Sequence, residues 1–180
     1  MLKVKDINKI QAVKIFLLFI INCPLIITLS SCENIFSPKL DNNTPTSILT
    51  DQKTIEGLFQ NFKFAYTFKD TTVYGNLLAE DFIFTYRDYE FGFDVTWDRA
   101  TEMRTTNGLF QTAQKLEVVW NNIIFQGGDS LNQNVKRSFN LTITFNPSDI
   151  TRLNGFVDMN FRRNSVNDIW KILIWRDESF

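Results

Sequence analysis

The sequence predicts an α+β domain, with helices first in the chain and packed on one face of an antiparallel sheet that follows. Three observations predict it. Apolar residues recur at helical spacing before Lys115. After Lys115 they alternate with polar residues in long runs rich in β-formers. Strong turn signals separate those runs, at Gly127-Gly128-Asp129-Ser130 and at Asn146-Pro147-Ser148-Asp149.

The first helix is expected from about Asp51. Ile55, Leu58, Phe59, Phe62, Ala65 and Tyr66 fall at i, i+3, i+4, i+7 spacing and form one apolar face over three turns. Asp70 reads as the N-cap of a short second helix with Val73, Leu77 and Leu78 inward. Phe82–Asp88 (FIFTYRD) alternates and reads as a strand. A third helix is expected after Thr96, with Trp97, Ala100 or Thr101, Arg104 and Phe110 on its inner face.

Lys115–Gln126 then reads as a strand leading into the first turn. From Val135 to Phe145, Val135, Arg137, Phe139, Leu141, Ile143 and Phe145 take one side. Lys136, Ser138, Asn140, Thr142 and Thr144 take the other. Thr151–Arg163 and Ile169–Asp177 form the last pair, joined by residues 164–168.

The N-terminus carries a different signal. Lys3, Lys5, Lys9 and Lys14 precede an apolar run, Ile15–Leu29, which ends in Leu29-Ser30-Ser31-Cys32. A basic start, an apolar stretch and small residues before a cysteine resemble the signal and lipobox of bacterial lipoproteins. That resemblance implies cleavage between Ser31 and Cys32, diacylglycerol on the Cys32 sulfur and acylation of the new amino terminus. The run is short for a span, which needs roughly 20 apolar residues, and Asn22, Cys23 and Pro24 interrupt it. The alternatives are an uncleaved signal anchor and ordinary signal cleavage with Cys32 a bystander. Cys23 follows Ile-Ile-Asn, whose bulky polar Asn22 does not suit a lipobox. Glu33 stands where an Asp would retain a lipoprotein in the inner membrane, which favours the outer membrane.

Three segments result: signal peptide 1–31, lipidated cysteine and tether 32–50, and one domain 51–180. The tether is polar, carries Pro38 and Pro45 and has no period. The signal holds 4 of the 19 Lys and Arg and 1 of the 20 Asp and Glu, so the mature chain has a net charge of about −4. A mildly acidic chain with no basic cluster beyond Lys136-Arg137 and Arg162-Arg163 argues against nucleic acid. It argues equally against electrostatic docking on anionic lipid, leaving the acyl chains as the membrane contact.

The order helix, helix, strand, helix, long strands is similar to the nuclear transport factor 2-like superfamily, also called cystatin-like. The residues that carry the resemblance are Ala65-Tyr66 followed by Asp70, then Leu77-Leu78-Ala79-Glu80-Asp81-Phe82, and the closing Trp170-Lys171-Ile172. It covers roughly residues 51–180. It implies a cone, in which a strongly curved sheet wraps the first helix and leaves a cup. The superfamily holds isomerases, dehydratases, cyclases and members without chemistry, so fold does not give function.

The chain contains no histidine. That excludes a His base, a Ser-His-Asp triad and a His-ligated metal. It also removes the His–carboxylate pair on which dehydratases of the superfamily rely. Cleavage and lipidation leave no free thiol and no Cys-based metal site, and no cofactor is expected. The isomerase chemistry implied by the resemblance uses an Asp base and a Tyr oxyanion donor in an apolar cup. The Tyr position lands near Phe62 and the Asp position on Tyr86. Neither role is filled there, and Tyr66 and Asp88 remain as substitutes a residue or two away.

Other candidates are binding residues. The chain has 18 Phe, 4 Tyr and 4 Trp, enough either to fill a wide interior or to line a cup for an apolar ligand with Tyr66, Tyr86, Trp97 and Trp120. Asp158, Asn160 and Arg162 share one side of a strand, which faces either the cup or solvent. Asp70 reads as a cap, and the Gly127-Gly128 segment as a hairpin turn. The expectation is a non-catalytic, membrane-anchored domain that binds a small ligand or an envelope protein, with homodimer formation through the sheet as a further option. The alternative is an isomerase- or cyclase-type enzyme using Asp and Tyr.

Overall fold

The computed structural model describes residues 49–179. The expected signal peptide, Cys32 and nearly all of the tether lie outside the described residues. Helix α1 spans Ile55–Phe68, α2 Thr71–Leu77 and α3 Arg99–Thr112. Strands are β1 Leu78–Asp88, β2 Phe93–Asp98, β3 Lys115–Gly128, β4 Asn132–Asn146, β5 Asp149–Arg162 and β6 Lys171–Ser179. They form one six-stranded sheet in the order β2-β1-β6-β5-β4-β3.

Local chemistry sets the helix ends. Thr54 caps α1 by accepting from Gly57 N. Lys69 then takes a left-handed conformation (φ 56°), and Asp70 N donates to Ala65 O across the end of α1. Asp70 also caps α2, its carboxylate accepting from Thr72 N and Val73 N at 2.9 Å each. Two residues thus close one helix and open the next. Asp98 caps α3 through Thr101 N, and those hydrogen bonds hold its carboxyl below the usual Asp value.

The apolar face of α1 is buried as expected, with Leu58, Phe59, Phe62, Ala65 and Tyr66 against the sheet. The sheet contributes Phe82, Phe84, Leu116, Val135, Phe139, Val157, Met159, Phe161, Ile172 and Trp175 to the same core. The β4 alternation holds, with Val135, Arg137, Phe139 and Ile143 buried. Gly155 permits a close strand approach: a Cβ there would meet Ser179 Cα at 2.5 Å and Glu178 O at 2.6 Å.

Three features differ from the expectation. The sheet is mixed, because β1 and β6 pair in parallel while the other four pairings are antiparallel. After the β1–β2 hairpin, α3 carries the chain to the far edge, and β3 to β6 meander back until β6 meets β1. Phe93–Asp98 is an edge strand and not the approach to a helix, so Trp97 belongs to β2. Finally, the inner face of α3 is Glu102, Thr106 and Phe110, at i, i+4 and i+8, while Arg104 is exposed. Bulges in the β3–β4 pairing near Asn121 and Ile124, and in β1–β6 and β5–β6, bend the strands around α1.

Candidate functional site

The helix-covered interior holds a polar cluster inside a shell of rings. Glu102 lies at its centre, 4% exposed. Its Oε1 accepts from Tyr74 Oη at 2.5 Å and from Thr106 Oγ1 at 2.8 Å, and its Oε2 accepts from Trp97 Nε1 at 2.7 Å. Each donor comes from a different element or turn: α2 supplies Tyr74, α3 Thr106, and β2 Trp97. A buried carboxyl group is tolerated because all three neighbours donate to it.

Tyr66 lies beside this cluster on α1. Its ring stacks on Phe62 with centroids 4.7 Å apart and meets Tyr74 edge-on at 5.7 Å. Burial pushes the Tyr66 hydroxyl well above the usual phenol range, with Glu102 adding to the shift. Tyr74 is driven the same way, again chiefly by burial. Asp177, half-buried on β6, completes the set. Burial raises its carboxyl above the usual Asp value and Glu102 and Glu178 reinforce that, against hydrogen bonds from Ser179 N and Oγ. Tyr86 is its register partner on β1.

Rings occupy the surrounding volume. Phe84 and Trp97 stack with centroids 4.5 Å apart, Trp175 packs edge-on against Phe62 and Phe84, and Trp120 packs edge-on against Phe59 and Phe62. Trp120 Nε1 donates to Phe59 O at 3.0 Å. Arg137 closes the far end: it is 8% exposed, lies 4.7 Å from the Phe59 ring, and bonds Glu56 at 2.7 Å and Asn121 O at 3.0 Å.

The structure therefore separates the residues singled out from sequence. Tyr66, Trp97, Trp120 and half-buried Tyr86 belong to the interior. Asp88 does not face Tyr66; its carboxylate accepts from Glu90 N and Phe91 N and forms the β1–β2 turn. Asp158, Asn160 and Arg162 lie on the outer face of β5, alternate to buried Val157, Met159 and Phe161. There Asn134 donates to Asp158 and Asn160, and Arg162 grips Asp81 with two nitrogens at 2.5 and 3.1 Å.

Sequence reasoning missed Tyr74, Glu102, Thr106 and Asp177. The available signal was Asp98 as a helix cap, which sets the phase of α3 and puts Glu102 and Thr106 in line with Phe110. Among the described residues no group of three or more His, Cys, Asp or Glu converges to hold a metal ion.

No family model matches the chain, and neither does any curated protein. Solved structures do match. A conserved protein from Planctomyces limnophilus aligns with a TM-score of 0.61 and 13% identity, covering 70% of this chain and 93% of that one. A candidate scytalone dehydratase from Novosphingobium aromaticivorans gives a TM-score of 0.60 and 16% identity, covering 70% and 81%. A candidate dehydratase of the NTF2-like family from Streptomyces avermitilis gives 0.55 and 13%, covering 70% and 94%. With three helices on a six-stranded mixed sheet in this order, residues 49–179 have the nuclear transport factor 2-like cone fold.

Proposed function

We propose that this chain is a lipid-anchored protein of the bacterial cell envelope whose cone-shaped domain binds a small ligand or a protein partner and catalyses no reaction. The observation that carries the non-catalytic half is the state of Glu102, whose oxygens are taken up by Tyr74, Thr106 and Trp97 within a packed shell of rings. A catalytic carboxyl group must reach a substrate atom, and this one reaches only neighbouring side chains. Binding then falls to the outer surface. The anchor rests on the lipobox ending at Cys32, with Glu33 favouring the outer membrane.

A second reading, an isomerase- or cyclase-type enzyme, is favoured by Asp177. Its raised carboxyl stands near Glu102 and Tyr66 on the cup side of β6, a pairing of acid and phenol suited to moving a proton. Dehydratase chemistry of the His-dependent kind fits poorly, since the chain has no histidine.

Titration of the full-length protein in detergent with 2-naphthol, followed by the indole N–H signals of Trp97, Trp120 and Trp175, tests the two. A filled interior gives no saturable shift. A saturable shift of all three signals would establish an open cup and favour the enzyme.

A further inference from the structure

The geometry points to a second site, outside the cup, that binds the phosphate group of a small polar phosphomonoester. A groove of about 630 Å³ lies where the end of α2, the start of β1, the start of α3 and the β5–β6 connection meet. Ligand sites commonly enclose roughly 300–1,000 Å³. Arg99, Arg162, Arg163 and Lys171 line it, with Glu80 and Asp168 as the lining carboxylates.

Three of those cations lack a carboxylate partner among the described residues. Arg99 donates one nitrogen to Gly75 O at 2.9 Å, and its Nε is buried with no partner. Lys171 Nζ donates to Asn76 O. Arg163 donates to Ser130 O and Val166 O and lies 4.4 Å from the Trp170 ring. Only Arg162 is neutralised, by Asp81.

Capping the C-terminal carbonyls of α2 explains why Arg99 and Lys171 stand there. It does not explain why two like charges stand together. One bond each leaves most of their donors unused, since Lys carries three and Arg five. Lys171 is held below the usual Lys value first by burial and then by Arg99, with Glu80 opposing. A bound anion would offset both effects by stabilising the charged ammonium.

The class of anion follows from the donors. A guanidinium fork beside an ammonium point charge suits a phosphate oxygen set. Three unpaired cations against the two lining carboxylates leave the groove net positive, and a monoester, with more than the single charge of a carboxylate or a phosphodiester, meets more of the unused donors. The groove is also larger than phosphate alone requires. Asn76, Asn164 and Asn167 on its walls offer amides to a hydroxyl-bearing body. The site rests on the reading of the domain as a binding module, but phosphate binding can fail while the interior remains filled, so the two are tested apart.

Isothermal titration of the full-length protein in detergent, at fixed ionic strength with sodium chloride as control, tests the site. Inorganic phosphate and glucose 6-phosphate are expected to bind saturably, the sugar phosphate more tightly. Glycerophosphoglycerol, a phosphodiester like a lipid headgroup, is expected to bind at least tenfold more weakly. Lys171→Gln should weaken glucose 6-phosphate at least tenfold. Asn164→Asp, at an exposed rim position, should weaken it several-fold without disturbing the fold. Lys115→Gln, at a surface ion pair far along the sheet, should leave it unchanged. Heats matching chloride, equal affinity in Asn164→Asp, or tighter binding of the phosphodiester would overturn the assignment.

Discussion

Tyr74 donates to Glu102 at 2.5 Å, joining α2 to α3 inside a core made mostly of rings and aliphatic side chains. Trp97 adds β2 to the same carboxyl group at 2.7 Å. The edge strand and two helices are thereby tied to one buried acid, which acts as an internal clamp.

Removing the clamp should be costly. Glu102→Ala leaves the donors of Tyr74, Thr106 and Trp97 unpaired and opens a void, and is expected to lower stability by about 2–4 kcal/mol. Glu102→Gln keeps an acceptor and most of the volume, and is expected to cost about 1–2 kcal/mol. Thermal melting followed by near-UV circular dichroism separates the two. Equal stability of wild type and Glu102→Ala would contradict the clamp.

Asp177 should make stability fall as pH rises. Its folded-state carboxyl value is raised, so the native state binds more protons than the unfolded chain above the ordinary Asp value of about 3.9. The favourable contribution is complete below that value and is lost as pH rises through the folded one. Asp177→Asn is therefore expected to melt higher than wild type at pH 7 and to match it at pH 3. A variant less stable at pH 7 would show that the charged form is needed.

Asp70 closes the α1–α2 turn with two hydrogen bonds to α2. Asp70→Ala is expected to destabilise by about 1 kcal/mol, and Asp70→Asn by less, since the amide oxygen still accepts. Denaturant midpoints for the two variants check the order.

Much of the framework was legible because its signals are local. Val135–Ile143 alternates with period two and Ile55–Tyr66 with the helical period, each matching the face it buries. Asp70 announces its helix by one side chain. What escaped depends on partners distant in sequence. Phe93–Asp98 alternates, but over only six mostly exposed residues that run directly into α3, and the parallel meeting of β1 with β6 follows from how far α3 carries the chain. Glu102 and Thr106 are polar residues on an inner face, so an apolar count passes over them. Arg99 and Lys171 lie far apart in the sequence and become neighbours only through α2.

Native mass spectrometry of the lipid-anchored protein, extracted from its own membranes, distinguishes a filled interior with an outer binding site from an occupied cup. Acyl chains are expected on Cys32, absent in Cys32→Ala, and no apolar molecule is expected in the interior. Any adduct should be phosphate-bearing, lost in Lys171→Gln and kept in Glu102→Gln. An apolar adduct kept in Lys171→Gln and lost in Glu102→Gln would contradict the filled interior, placing the ligand in the cup.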